Sequence, residues 1–318
     1  MTVRPPLAVV GPTASGKTAL ALELARRGAQ AGRPAELVSV DSMAVYRGME
    51  VGTAAPSAAE RGDVTVHCTG VVDPSTEFSL VEFVALARSA MAGAAARGAA
   101  AVLVGGTGLY VRALVDGLEP PGQFPDVAAS LEAEPDTVAL HARLATLDPV
   151  AAQKMEPTNR RRVLRALEVT VGSGRPFSSF GPGLEDYPAA DVVQVGLSVV
   201  REDLGPRIEA RLRDQLAQGF LKEVAALVAR PGGWSRTAAQ ALGYRELAAH
   251  LAGECTLEEA VALTVQRTRQ FAVRQERWFR RDPRIVWLPA DGGAGALADQ
   301  VEAVWAAATP AGTDGASH

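Results

Sequence analysis

VVGPTASGKT, at Val9–Thr18, is the stretch that decides the architecture. It fits the pattern G-x-x-x-x-G-K-[ST], with Gly11, Gly16, Lys17 and Thr18 at the fixed places. The apolar run Leu7–Val10 precedes it, and the helix-favouring run Ala19–Arg27 follows. That strand–loop–helix context gives the pattern its physical meaning. Glycines let backbone N–H groups turn inward around an anion, and the helix N-terminus adds partial positive charge. Lys17 is placed to reach outer phosphates and Thr18 to ligate Mg²⁺. Gly11, Pro12, Thr13, Ala14, Ser15, Gly16, Lys17 and Thr18 therefore form a candidate polyphosphate or pyrophosphate cradle. The loop alone does not choose a reaction, because kinases, NTPases and some transferases share it.

Outward from this loop, AELVSVDS (Ala35–Ser42) reads as a second buried strand ending on an acid. Ser79–Arg97 reads as a helix, and AAAVLVGGTGLY (Ala99–Tyr110) as a third strand breaking at Gly105-Gly106. Strands alternating with helices predict a parallel sheet, whose ligands lie at the carboxyl ends of the strands. The loops after the three strands carry Lys17 and Thr18, Asp41 and Ser42, and Thr107. The Pro/Gly-rich GLEPPGQFP (Gly117–Pro125) marks a boundary. Helices are expected over Ser130–Val171, a loop over Gly172–Gly183 and a return to the sheet at Val192–Leu197. Further helices follow at Pro206–Ala229, Ala238–Leu251 and Leu257–Arg281, then a last strand at Ile285–Leu288. The expected fold is α/β: a P-loop parallel sheet core flanked by helices, with a smaller, mostly helical inserted domain. Residues 1–117 and 191–308 would form the core, 118–190 the insertion, and 309–318 a disordered polar tail.

The chain has 318 residues, long enough for a sizeable buried core, and a net charge of −4. That balance argues against a basic protein coating nucleic acid indiscriminately, although it leaves room for a local basic surface. Cys68 and Cys255 are the only two cysteines; they form neither a metal-spacing pattern nor a disulfide framework, which fits a reduced cytoplasmic setting. Met1–Pro6 leads straight towards the first strand, so no signal peptide is expected. No apolar run approaches the roughly 20 residues of a membrane span. His67, His141, His250 and His318 are scattered and point to neither a metal site nor a nucleophilic triad.

Five constellations carry chemistry. Asp41, at the end of a buried strand facing the phosphate loop, suits a base or a water-mediated Mg²⁺ partner; a helix cap or structural ion pair is the plainer alternative. Asp41–Pro56, DSMAVYRGMEVGTAAP, is long for a connection, and long ordered loops at strand ends often bind substrate. In Gly105–Leu114 two glycines and Thr107 stand where a P-loop NTPase often has an Mg²⁺-binding aspartate, which weakens an ATPase reading. Arg161, Arg162 and Arg165 share a helical face, fit either for phosphates or for solvent with Glu168 as partner. The helix TVQRTRQFAVRQERWFRRD carries Arg267, Arg274, Arg277 and Arg281 on one stripe, and Val261, Val265, Ala272 and Phe279 on an apolar one. Such a basic stripe fits a nucleic-acid backbone. Phe271 and Trp278 read as core rather than as base-stacking platforms.

Taken together, GPTASGKT, DSMAVYRGMEVGTAAP, GGTGLYVRAL, RRVLRALEV with GRPF after it, ALGYRE and RQERWFRRD resemble the tRNA dimethylallyltransferase (tRNA isopentenyltransferase) family. They run from Val9 to about Leu288. The resemblance implies that the loop holds the diphosphate of dimethylallyl diphosphate rather than ATP. It implies that N6 of the adenosine 3′ to the anticodon attacks the allylic carbon and diphosphate leaves. Asp41 would be the general base, Thr107 would bond near the amine, and Lys17, Thr18-bound Mg²⁺ and Arg245 of ALGYRE would stabilise the leaving group. Ser42, Met43, Ala44, Arg161, Arg162 and Arg165 match segments that touch tRNA, while Arg274 and Arg277 would grip its backbone. Base flipping is expected, since a stacked adenine cannot otherwise reach a buried site. The family usually has Gln where Ala44 stands and commonly Asp where Asn159 stands. A monomeric cytoplasmic enzyme using Mg²⁺ is the resulting expectation. The rivals are a P-loop small-molecule kinase, a prenyltransferase for free adenine nucleotides, and an RNA-binding module with a vestigial loop. The intact Lys17 and Thr18 argue against the last.

Overall fold

The structure, a computed structural model, describes residues 3–181, 183 and 186–308. The tail expected at 309–318 lies outside the described residues. In chain order the first elements are β1 (Leu7–Val10), α1 (Lys17–Gln30), β2 (Ala35–Ser39), the turns α2 (Glu50–Thr53) and α3 (Ala58–Arg61), β3 (Val66–His67), α4 (Leu80–Ala96), β4 (Ala100–Gly105) and α5 (Gly108–Val115). Next come α6 (Pro125–Glu132), α7 (Thr137–Leu147), α8 (Pro149–Gln153) and α9 (Arg160–Ser173). The chain then runs through β5 (Val193–Ser198), α10 (Arg201–Ala217), α11 (Phe220–Val228), α12 (Tyr244–Leu251), α13 (Leu257–Phe279), β6 (Val286–Pro289) and α14 (Gly293–Ala307).

The chain separates into two compact units: the described residues of Met1–Val115 with Ala189–His318, and those of Asp116–Pro188. In the first, all six strands are parallel in the order β3-β2-β4-β1-β5-β6. β1 lies between β4 and β5, and its four residues are wholly buried, as expected of a continuous apolar run covered on both faces. Leu20, Leu24, Leu37, Val102, Val195 and Trp305 share its core.

β3, α14, the helix α5 and the short turns α2 and α3 escaped the sequence reading. β3 has only two residues, too few to show a period. α14 is alanine-rich, yet it buries Leu297, Ala298, Val301 and Trp305, and the Trp305 indole N–H donates to Pro5 O at 2.8 Å. The helix expected at Pro206–Ala229 is two helices, because Gly219 adopts a left-handed φ of 103° and starts α11.

The second unit is helical. Leu131, Leu140, Leu144, Ala152, Val163, Ala166 and Leu167 form its core. Asn159 caps α9 by accepting from the Arg162 N–H, a task Asp and Asn perform equally, so the departure from aspartate is neutral here. Asp148 is buried and accepts from the N–H groups of Ala151 and Ser178 and from the Ser178 hydroxyl. Asp148→Ala removes this cap and takes the acceptor from the half-buried Ser178 donors. A loss of about 1–3 kcal/mol is expected in denaturant unfolding of the whole chain; unchanged stability would show the cap to be dispensable.

Candidate active site

β1 delivers the chain into Gly11–Gly16 at the carboxyl end of the sheet. Gly11 has φ 139°, and a Cβ there would lie 2.6 Å from Leu197 O of β5, so only glycine fits. α1 then begins with no side-chain cap and no acid in its first turn, leaving its N-terminal amides and dipole open to an anion. The Lys17 ammonium donates to Pro12 O at 2.6 Å and approaches the Ser15 hydroxyl at 3.5 Å. A cleft of about 540 Å³ runs from the loop past Thr18 to Arg207 and Arg211.

Arg211 is a residue of the cleft that the sequence reading missed. Its guanidinium donates to the Thr13 hydroxyl at 2.9 Å and to Thr53 O at 3.3 Å. It fixes the phosphate loop against the loop after β2. Desolvation, then the Arg211 charge, pull the Lys17 ammonium down to about 7, partly opposed by Asp41. Burial likewise lowers Arg211, again against Asp41. A signal was present: Leu204, Ile208, Arg211 and Gln215 fall 4, 3 and 4 apart on the buried side of α10, so two polar residues sit on an apolar stripe.

Arg245 does not take the place expected of it. It is exposed on α12 and is not among the residues lining the cleft, whereas its neighbours Tyr244 and Glu246 turn inward. The Tyr244 hydroxyl donates to Met49 O and Glu223, and the Glu223 carboxylate accepts from the N–H groups of Val51 and Gly52. ALGYRE therefore fastens the loop after β2 instead of supplying a cation.

Asp41 and Thr107 do come together. Asp41 Oδ1 accepts from Met43 N–H at 2.8 Å and Ala44 N–H at 3.4 Å. Its Oδ2 has no partner among the described residues. The Thr107 hydroxyl accepts from Ser42 N–H at 3.2 Å, which leaves its own proton to donate. Ser42 and Met43 are half-buried beside them. Ala44 is a correction: its methyl is buried, so its side chain cannot face a substrate.

The arginines divide by what they touch. Arg161 and Arg162 are exposed, but Arg165 pairs with Glu168 at 2.8 Å and donates to Pro121 O and Gly122 O, so it belongs to the scaffold of its own unit. On α13, Arg274 and Arg277 are exposed, Arg274 lying over the Phe271 ring; Arg267 is instead paired with the buried Glu246. Trp278 is half-buried against Gly108. Among the described residues no cluster of His, Cys, Asp and Glu could hold a metal on its own, and no helix is long and apolar enough to cross a membrane.

A P-loop sheet that gathers an anion cradle, a carboxylate and a hydroxyl at the carboxyl ends of its strands fits the class of group transferases acting on a phosphorylated substrate. The sequence model of the IPP transferase family matches residues 44–282, and the chain belongs to that family. It is 48% identical over 297 residues to the tRNA dimethylallyltransferase of Kineococcus radiotolerans, covering 92% of this chain and 93% of that one. It is 46% identical to that of Streptomyces coelicolor, with 93% and 92% covered. A crystal structure of a tRNA isopentenylpyrophosphate transferase from Bacillus halodurans superposes with TM-score 0.67 at 34% identity, covering 96% of this chain and 98% of that one. A eukaryotic dimethylallyltransferase acting on tRNA, 23% identical with TM-score 0.78, covers 98% and 81% and shows the same fold.

Anionic oxygens beside Lys17 would raise its pKa from about 7. Diphosphate binding above that pH should therefore take up a proton, and affinity should fall as pH rises, by up to about tenfold per unit. Calorimetry with inorganic diphosphate at about pH 8.5, in two buffers of different ionisation enthalpy, measures the uptake. Lys17→Arg carries a fixed charge and should lose it; equal uptake by both proteins would place the proton elsewhere.

Proposed function

We propose that the chain transfers a dimethylallyl group from dimethylallyl diphosphate to N6 of the adenosine 3′ to a tRNA anticodon. Its membership of the family makes it a tRNA-modifying prenyltransferase. The single observation that carries the finer reading is the convergence of two dissimilar half-sites, a cationic cradle and a free carboxylate oxygen, at one end of one sheet.

The chemistry follows from their charges. The N6 lone pair attacks the allylic carbon while the C–O bond to diphosphate breaks and its electron pair leaves with diphosphate. Asp41 Oδ2 accepts the proton that N6 must lose. The Thr107 hydroxyl donates to the base and orients it. Loop amides, Lys17 and Arg211 face the negative charge that grows on the leaving group, in a desolvated cleft where such contacts are strong. The phosphate is thus a leaving group, not a group to be transferred.

The residues present fit Mg²⁺ shared with a diphosphate, not an all-protein cage: Thr18 lines the cleft, and among the described residues no cluster of His, Cys, Asp and Glu could hold the ion alone. When bound, the ion would neutralise the departing diphosphate. Arg161, Arg162, Arg274 and Arg277 are free to meet RNA phosphates, and an adenine flipped from its loop would reach Asp41. A cytoplasmic location follows from that substrate.

Asp41→Asn keeps the size but removes the base. A fall in kcat of about 10²–10⁴-fold is expected, with tRNA binding within about twofold; an unchanged kcat would remove Asp41 from the reaction. Arg274→Ala with Arg277→Ala should weaken tRNA binding and reduce the slope of log K against log salt by about 2. An unaltered slope would show that these side chains meet no phosphate.

A further inference from the structure

Gln275 is buried on α13 between the two exposed arginines Arg274 and Arg277. Its side-chain amide spans two loops of the site. Oε1 accepts from the Thr13 N–H of the phosphate loop at 2.8 Å, and Nε2 donates to Gly106 O at 2.9 Å. Gly106 is the residue before Thr107, and Thr13 is the residue whose hydroxyl takes the Arg211 hydrogen bond. One amide thus joins the half-site that would hold diphosphate to the half-site that would hold the base.

The chemistry of this strut is restrictive. It must accept at one end and donate at the other, which an amide does and a carboxylate or an aliphatic chain does not. It also needs room: a Cβ on Gly106 would lie 2.1 Å from Gln275 Nε2, with Gly11 O 3.5 Å away on the other side. Glycine at 106 and glutamine at 275 are two parts of one device.

We propose that Gln275 is a positioning residue for the transfer, holding the phosphate loop and the Thr107 loop in the relative placement that brings diphosphate and acceptor into line. This rests on the function proposed above. The loops leave different β-strands, β1 and β4, and each is otherwise fixed from its own side: Arg211 holds Thr13, while Ser42 N–H bonds Thr107. Gln275 is the direct side-chain bridge between them among the described hydrogen bonds. Displacement of about 1 Å in a reacting pair lowers rates by about 10²-fold, so loss of the bridge should act on turnover and diphosphate affinity while the exposed arginine face stays intact.

The test uses the full chain carrying Gln275→Met, Gln275→Glu, Gln275→Ala, Gly106→Ala, and Gly106→Ala combined with Gln275→Ala. Each is compared for unfolding midpoint, inorganic diphosphate affinity, tRNA affinity and prenyl transfer. Gln275→Met should weaken diphosphate and lower kcat by about 10-fold or more, with tRNA affinity within about twofold. Gln275→Glu should bind diphosphate more weakly still, because it adds a carboxylate beside the anion. Gly106→Ala should reproduce the loss in the wild-type background but cost at least fivefold less once Gln275 is Ala, since the clash is then absent. Normal diphosphate affinity and kcat in Gln275→Met, strictly additive effects in the double variant, or losses that merely follow the unfolding midpoint would each overturn the positioning role. Wild-type protein whose diphosphate affinity depends on Gln275 yet which prenylates no tRNA would overturn the proposed reaction and leave the strut standing.

Discussion

Two cations side by side with little water are the condition on which the rest of this molecule depends. Lys17 and Arg211 repel each other, and desolvation deepens the cost, enough to bring the Lys17 ammonium to about 7. Such an arrangement persists only if a rigid frame imposes it. β1, wholly buried between β4 and β5, anchors the loop. Leu197 O of β5 closes over Gly11 and excludes any side chain there. α10 carries Arg211 in from the second half of the chain, while Gln215 and Glu223 hold the loop it leans on. An anion would relieve the repulsion, and in the proposed reaction the diphosphate is that anion.

Opposite this centre the design is reversed. Asp41 keeps one oxygen tied to the turn it starts and leaves the other free. Its negative charge lies near enough to Lys17 and Arg211 to stabilise both. In the proposed reaction the base would therefore also balance the cations facing the leaving group, making each half sensitive to the other's occupancy. Gln275 bridges the halves directly, while the Ser42–Thr107 bond ties the two loops of the acceptor half together. α13 supplies the first of these from its buried side and offers Arg274 and Arg277 from its exposed side.

What the sequence made legible was local. The phosphate loop, the acid closing β2 and the threonine after the two glycines are each announced by their own neighbours, and the strand–helix alternation places them at one sheet edge. Arg211 and Gln275 are not announced in that way. They meet the loop across 198 and 262 residues of chain, and each lies on a helix stripe that reads as core. A polar residue on an apolar stripe is their trace. Arg245 misled because the motif containing it is real: its Tyr244 and Glu246 do the packing, and the arginine between them faces solvent. Arg165 shows the same limit, since spacing gives a shared face but not whether that face is free, and Ala44, taken from the resemblance, has its methyl buried.

The central claim is that this cradle receives a departing diphosphate. The most direct measurement is a single-turnover reaction with dimethylallyl diphosphate labelled on the allylic carbon and on the β-phosphorus, with Mg²⁺ and unmodified tRNA carrying adenosine after its anticodon. The account predicts that the carbon label appears at N6 of that adenosine while all the phosphorus label is released as inorganic diphosphate, one for each prenyl group transferred. Phosphorus label in the RNA, or release as monophosphate without prenyl transfer, would contradict it.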